Sequence, residues 1–132
     1  MTIEFVLDTS ALVAYARDEP GSSTIAGILD THRCLMHAVN VGEFLCAISR
    51  RMSERFDPES ANLWVEQAGV ERSYVLTPAF LVLSARIRRA APALSFGDGV
   101  ALALASVSGL PVLTTEKAFR AAADFAAIDL IR

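Results

Sequence analysis

The segment FVLDTSALVAY, residues 5–15, places an aspartate between a predicted apolar strand and a predicted apolar helix. Residues 3–7, IEFVL, are β-branched, aromatic and aliphatic for the most part, which favours a buried strand. Residues 10–18, SALVAYARD, are predicted to form the short helix that follows. Asp8 therefore stands at the carboxyl end of the strand, and a carboxylate beside a forming core needs a physical reason.

The alternation of strands and helices continues along the rest of the chain. The other predicted strands are 34–39, 73–77, 112–114 and 127–131, and the other predicted helices are 22–31, 40–53, 58–69, 78–91, 95–108 and 116–125. Strands that alternate with helices form a mainly parallel sheet with helices on both faces. We therefore expect an α/β fold. We expect one domain over residues 1–132, because this length suits a single core and no composition shift marks a linker.

The composition excludes some classes of protein. Hydrophobic residues make up 53% of the chain, and the net charge of −3 argues against a protein that holds nucleic acid by overall charge. The longest apolar stretch, residues 99–113, is interrupted by serine, glycine and proline and is too short to cross a bilayer. No signal peptide is recognisable, so we expect a cytoplasmic protein without membrane association.

The cysteines and histidines do not have the spacing of a metal site. Cys34 and Cys46 each lie in an apolar context, so we expect both to be buried core thiols. His32 and His37 have no spaced ligand partners, and we interpret both as structural.

Four acidic residues follow a predicted strand or open a predicted helix. Asp8 follows the first strand, and Glu43, Asp98 and Glu116 each lie in the first turn of a predicted helix. The carboxyl ends of parallel strands meet at one edge of a sheet, so we expect these acids to converge in one cleft. Carboxylates that lie close together repel one another and require protons or a cation.

The chemistry of the ligands indicates which cation. Carboxylate oxygens suit Mg²⁺ or Mn²⁺, which keep several waters and leave room for a substrate phosphate. Two such ions activate a water and stabilise the leaving oxygen of a phosphodiester. The pattern therefore favours metal-assisted hydrolysis of nucleic acid.

Helix capping is the alternative explanation for each acid taken alone. Asn40 with Glu43, and Ser95 with Asp98, have the spacing of a capping box. The acids at the two strand ends can take part in caps as well, and an acid in a first turn favours the helix dipole. Capping does not, however, predict that all four acids converge.

Four segments carry a resemblance to a known family: VLDTSALVAY (6–15), AVNVGEFLCAI (38–48), LSFGDGVALALA (94–105) and VLTTEKAF (112–119). In this order and spacing they resemble the PIN-domain ribonucleases, and in particular the VapC-like toxins of bacterial toxin-antitoxin pairs. The resemblance covers essentially the whole chain. It implies a three-layer α/β/α fold, Mg²⁺- or Mn²⁺-dependent RNA endonuclease activity, a homodimer and inhibition by a cognate antitoxin.

The resemblance also implies roles for single residues. Asp8 matches the first aspartate of the family, Glu43 the glutamate of its N-x-x-E motif and Asp98 the acid of its LS-x-x-D segment. Glu116 stands where members usually carry aspartate, and we expect it to assist the other three.

Further positions match or depart from the family pattern. Ser10 matches a serine or threonine that supports the site by hydrogen bonding, and Asn40 matches the asparagine of the motif. Gly99 stands where we expect a basic or larger residue beside the central aspartate, which weakens the case for a substrate contact there.

Basic residues form three small groups that are candidates for contacts with RNA phosphates. Lys117 and Arg120 are the preferred group because they follow Glu116 closely. The other groups, for which a solvated helix face or a contact with an acidic antitoxin segment is the alternative, are Arg50, Arg51 and Arg55, and Arg86, Arg88 and Arg89.

Two other functions are compatible with parts of the pattern. A phosphatase or phosphotransferase would use Asp8 as its nucleophile, but the usual second aspartate two positions later is Ser10 here. A non-catalytic PIN-like module that binds RNA or a partner is the stronger alternative, and Glu116 and Gly99 are the residues that favour it. Such a module should bind little Mn²⁺.

Overall fold

The computed structural model describes residues 2–51 and 57–131, except the side chains of residues 50 and 51. Its strands are β1 (Ile3–Leu7), β2 (Arg33–His37), β3 (Val70–Ser73), β4 (Val112–Thr114) and β5 (Ile128–Leu130). Its α-helices are α1 (Thr9–Ala16), α2 (Ser22–Thr31), α3 (Ala38–Arg51), α4 (Pro58–Gln67), α5 (Pro78–Ala90) and α6 (Phe96–Ser108), and a 3₁₀ helix covers Lys117–Ala122. The predicted alternation of strands and helices is confirmed.

The strands form one parallel sheet in the order β3-β2-β1-β4-β5. In the centre, Val6 of β1 pairs with Leu35 of β2 on one side and with Val112 of β4 on the other. Because these strands run in the same direction, the segments that follow them leave the sheet at the same edge, which we call the carboxyl edge. The expected α/β fold with a mainly parallel sheet is confirmed.

The core lies on both faces of this sheet. Side chains alternate along β1, so Leu7 packs with Leu12 and Phe44 on one face, while Val6 packs with Val100 on the other. Helices α1 to α4 cover the first face and α5 and α6 the second, which makes the three-layer α/β/α arrangement. Within the described part of the chain, no helix is long and apolar enough to cross a membrane.

The third strand lies earlier in the chain than predicted, because β3 ends at Ser73, where the predicted strand 73–77 begins. Its last residue pairs with His37, which is also the last residue of β2. Since α3 begins directly after His37, the segment after Ser73 has no strand to pair with. Tyr74 and Leu76 of that segment are exposed. Their aromatic and aliphatic side chains therefore do not belong to a buried strand, although their character favours one.

The limits of several helices differ from the prediction by one or more residues, and two of these differences affect the site. Helix α3 begins at Ala38 rather than at residue 40, and the predicted helix 116–125 is the 3₁₀ helix Lys117–Ala122. Backbone bonds in that segment join residues three apart, as from the Phe119 N–H to the Glu116 carbonyl at 3.2 Å.

The cysteines and histidines take structural positions, with one correction. Cys34 is buried as predicted, but Cys46 is exposed. On α3 the core side is set by Phe44 and Ile48, four residues apart, and this spacing turns Cys46 away from the core. His37 is buried, and its Nδ1 accepts a hydrogen bond from the Val39 N–H at 3.0 Å.

Candidate active site

A cleft of about 490 Å³ opens at the carboxyl edge of the sheet, and all four acids singled out from the sequence line it. We call it the acidic cleft. Its lining consists of Asp8, Thr9, Ser10, Val13, Glu19, Glu43, Ser95, Asp98, Thr115 and Glu116. No lysine or arginine belongs to this lining as the described residues define it. The carboxylates therefore face one another without a basic side chain among them.

Asp8 lies at the base of the cleft and is 2% exposed. It is the N-cap of α1, and its Oδ1 accepts a hydrogen bond from the Ala11 N–H at 2.9 Å. The Ser10 hydroxyl lies 2.8 Å from Oδ1, and the Thr114 hydroxyl donates to Oδ2 at 2.8 Å. Capping and a place in the cleft thus coexist at this residue.

The environment of Asp8 opposes its ionisation. Burial raises the pKa of its carboxyl from 3.8 to about 7. The hydrogen bonds from Ala11, Ser10 and Thr114 lower the pKa, and the negative charge of Asp98 adds to the rise. A proton or a cation would therefore relieve an unfavourable buried charge at this position.

Glu43 lies beyond the first turn of α3, because the helix begins at Ala38. The predicted capping box with Asn40 is therefore wrong. Instead, the Asn40 amide donates to Glu43 Oε1 at 3.0 Å and to the Gly97 carbonyl at 2.9 Å. The Thr9 hydroxyl donates to the same Oε1 at 2.8 Å, so α1 and α3 together fix this carboxylate.

Asn40 is itself almost completely buried, with 1% of its surface exposed. Its amide nitrogen is fully used in the two bonds just described, whereas its Oδ1 is buried without a hydrogen-bond partner. A buried amide oxygen without a partner is uncommon, and Asn40 itself is not part of the described lining of the cleft.

Asp98 forms the capping box that the sequence predicts. Its Oδ2 accepts a hydrogen bond from the Ser95 N–H at 2.9 Å, and its own N–H donates to the Ser95 hydroxyl at 3.1 Å. The side chain nevertheless lines the cleft and is near enough to Asp8 to raise the pKa of that carboxyl. The capping explanation and the site explanation are both satisfied here.

Glu116 is exposed and directly precedes the 3₁₀ helix. Its own side chain makes no capping bond. Its N–H donates to the Thr114 hydroxyl at 3.0 Å, and the Thr115 N–H donates to the Ser10 hydroxyl at 3.1 Å. The loop that carries Glu116 is therefore tied to the hydroxyls that hold Asp8.

The sequence reasoning missed several residues of the cleft. Thr9 and Thr114 contact the acids directly, and both stand beside residues that had been singled out. Glu19 also lines the cleft, on a turn after α1 in which Asp18 adopts a left-handed φ of 53°. The Glu19 N–H bonds back to the Ala14 carbonyl at 2.9 Å, a Schellman-type helix end that returns the chain toward the cleft.

The preferred basic residues lie beside the cleft rather than in its lining. Lys117 and Arg120 are exposed on the 3₁₀ helix that follows Glu116. Arg88 has a structural role, since its Nε donates to the Leu94 carbonyl at 3.2 Å. Gly99 leaves space for the side-chain stem of Arg88, which accounts for a residue without a side chain there. Arg55 and the side chains of Arg50 and Arg51 lie outside the described residues.

The donor set of the cleft fits a hard divalent cation. It offers carboxylate oxygens from several elements and an Asp8 whose charge is uncompensated. Within residues 2–51 and 57–131, however, no three histidine, cysteine or acidic side chains are already placed to hold a metal ion. Binding would require the carboxylates to move toward one another.

Fold and cleft define a class of protein: a three-layer α/β/α domain with an acidic site at the carboxyl edge of a parallel sheet. The family model for the PIN domain matches residues 5–124, so the chain belongs to the PIN domain family. The sequence is 34% identical over 123 residues to a Ribonuclease VapC of Mycolicibacterium smegmatis, an alignment that covers 87% of this chain and 93% of that protein. The resemblance to PIN-domain ribonucleases of the VapC kind is confirmed.

Solved structures show the same fold at low sequence identity. VapC20 of Mycobacterium tuberculosis, described as a Sarcin-Ricin loop cleaving toxin, has a TM-score of 0.72 and 18% identity, covering 90% of this chain and 95% of that one. VapBC2 of Rickettsia felis, bound to a DNA fragment from its promoter, has a TM-score of 0.73 and 8% identity, covering 98% and 100%. At these identities the likeness establishes the fold.

Proposed function

We propose that this protein is a metal-dependent endoribonuclease that cleaves RNA phosphodiester bonds and acts as the toxin of a toxin-antitoxin pair. The observation that carries the proposal is the convergence of Asp8, Glu43, Asp98 and Glu116 on one cleft whose lining holds no basic side chain. The relative from Mycolicibacterium smegmatis is named a ribonuclease, and VapC20 is described as a Sarcin-Ricin loop cleaving toxin, which supports the same activity here.

In this proposal some residues of the cleft hold the metal and others orient the carboxylates. Asp8, Glu43 and Asp98 would hold Mg²⁺ or Mn²⁺, and Glu116 would assist them. The bound ion supplies charge neutralisation and a water that is easily deprotonated. Ser10 and Thr114 orient the Asp8 carboxylate, while Thr9 and Asn40 orient Glu43. With a metal bound in this way, the site would need no histidine as a general base.

RNA and protein partners belong to the same proposal. Lys117 and Arg120, exposed next to the cleft, contact RNA phosphates and position the strand without reading its sequence. A cognate antitoxin would control the activity, and two copies of the chain would form a homodimer. Exposed Leu81 and Val82 on α5 provide apolar surface for such an interface. We also propose a single domain over residues 1–132 and a cytoplasmic location.

Cleavage of end-labelled RNA tests the activity. Antitoxin-free protein should cut single-stranded or structured RNA with Mg²⁺ or Mn²⁺ and should not cut with EDTA. Asp8→Asn removes a metal ligand, so we expect it to abolish cleavage, by roughly 100-fold or more, because the site depends on the metal-bound water.

The competing proposal is a non-catalytic PIN-like module that binds RNA or a protein partner. The observation in its favour is that the acids of the described residues are not yet close enough to hold a metal. If the wild-type protein neither cuts any RNA nor binds Mn²⁺ in a calorimetric titration, this alternative replaces the nuclease.

A further inference from the structure

Gly97 is buried in the first turn of α6, and the carboxylate of Glu43 lies directly against it. A Cβ atom built on Gly97 would overlap both carboxylate oxygens of Glu43. The backbone does not require glycine at this position, since the glycines with positive φ are Gly21, Gly69 and Gly109 among the described residues. Space is therefore the physical reason for glycine here.

That space costs helix stability. Glycine inside a helix is less favourable than alanine, because it loses more backbone freedom on folding. Gly99, two residues later in the same helix, leaves room for the Arg88 side chain of α5. Its small size therefore improves the packing of α6 against α5. At Gly97, by contrast, the three atoms nearest to the position of a Cβ all belong to the carboxylate group of Glu43, which lines the cleft.

The surrounding contacts hold Glu43 in that space. The Asn40 amide joins Glu43 Oε1 to the Gly97 carbonyl through bonds of 3.0 and 2.9 Å. The Thr9 hydroxyl approaches the same Oε1 from α1 at 2.8 Å. Residues of α1, α3 and α6 thus contact the Glu43 carboxylate, and the α6 contact is with Gly97.

We propose that Gly97 is a positioning residue: the absence of its Cβ forms a niche that seats the Glu43 carboxylate beside Asp98 in the acidic cleft. The niche itself follows from the contacts, whereas its effect on metal binding rests on the proposed function. Gly97→Ala therefore displaces Glu43 while it leaves the helix intact, because the overlap is with the end of a flexible side chain.

A double-mutant cycle in EDTA tests the niche without any metal. The variants are Gly97→Ala, Glu43→Ala and the double mutant, and the readout is the midpoint of thermal unfolding. With Glu43 removed, Gly97→Ala should raise the midpoint, as an alanine does in a helix. With Glu43 present, the rise should be smaller or reversed, because the new methyl group displaces the carboxylate.

Gly27→Ala in α2 is the matched control, since a Cβ at Gly27 meets nothing within 4 Å. It should raise the midpoint equally in both backgrounds. An equal rise for Gly97→Ala in both backgrounds would overturn the niche. A Gly97→Ala protein that folds only when Glu43 is also replaced would support it.

A calorimetric Mn²⁺ titration gives the second readout. Gly97→Ala should weaken Mn²⁺ binding by about 10-fold or more, as loss of a group that orients a ligand does, and Gly27→Ala should not change it. If the wild type binds Mn²⁺ and Gly97→Ala binds it equally well, the positioning role is wrong but the proposed nuclease stands. If the wild type binds no Mn²⁺, the proposed function fails, and the unfolding cycle still decides whether the niche exists.

Discussion

At the scale of the residue, Asp8 combines a structural and a chemical function in one side chain. It caps α1, yet it is buried among hydroxyls at the base of a cleft with other acids. Burial outweighs the hydrogen bonds, so its pKa rises to about 7. The position is therefore unfavourable for a bare carboxylate and favourable for one that meets a cation.

This raised pKa predicts how stability depends on pH in the absence of metal. The carboxyl of Asp8 has a pKa of about 7 in the folded state and an ordinary value of 3.8 in the unfolded state. Folding therefore favours its protonated form. Its contribution to stability is complete below about pH 4 and is lost as the pH rises through 7.

Asp8→Asn should therefore be more stable than the wild type at pH 8 in EDTA, by roughly 2–4 kcal/mol, and nearly equal to it at pH 4. Urea unfolding at the two pH values measures the difference. A variant that is equally stable or less stable at pH 8 would show that burial does not penalise the Asp8 charge.

At the scale of the elements, two hydroxyls join the end of β1 to the loop after β4. Thr114 donates to Asp8 and accepts a hydrogen bond from the Glu116 N–H, while Ser10 stands in the same relation to Asp8 and Thr115. These hydrogen bonds hold the carboxyl end of β1 in a fixed position relative to the loop after β4. Thr114 is completely buried, so water cannot replace these bonds.

Thr114→Val keeps the shape of the side chain and removes both bonds. We expect it to destabilise the protein by about 1–3 kcal/mol, because the Glu116 N–H loses its partner and Asp8 Oδ2 keeps only its contact with the Ser10 hydroxyl. It should also weaken Mn²⁺ binding by about 10-fold. Thr114→Ser retains the hydroxyl and should restore most of the metal affinity. If the serine variant binds Mn²⁺ no better than the valine variant, the hydroxyl does not position Asp8.

The same scale shows what could be predicted from sequence. β1, α2 and the Ser95 to Asp98 capping box are recognisable because their signals are local. β3 was misplaced because its limits depend on where β2 ends. The acids could be identified from their places beside strands and helix starts.

The contacts that hold those acids could not be predicted in the same way. Thr9, Asn40 and Gly97 come together only where α1, α3 and α6 meet. Such a meeting point depends on helix packing across the sheet, which no local pattern encodes. The roles of the acids in metal binding and of Lys117 and Arg120 in RNA binding remain predictions.

At the scale of the whole molecule, charge is distributed unevenly. The net charge is −3, and the acidic cleft concentrates carboxylates whose field would repel an RNA phosphate. Lys117 and Arg120 are exposed, and they follow Glu116 of the cleft by one and four residues in the chain. RNA binding by this surface is therefore expected to require divalent cations in the cleft, and not overall positive charge.

The proposed nuclease requires the acidic cleft to bind a divalent cation through Asp8, Glu43 and Asp98. Anomalous difference density from crystals soaked in Mn²⁺ would show this binding. We predict a peak in coordination contact with these three carboxylates, which move together to form it, and no such peak in Asp98→Asn crystals. An empty cleft at a Mn²⁺ concentration that supports RNA cleavage, or a peak held only by other residues, would contradict the account.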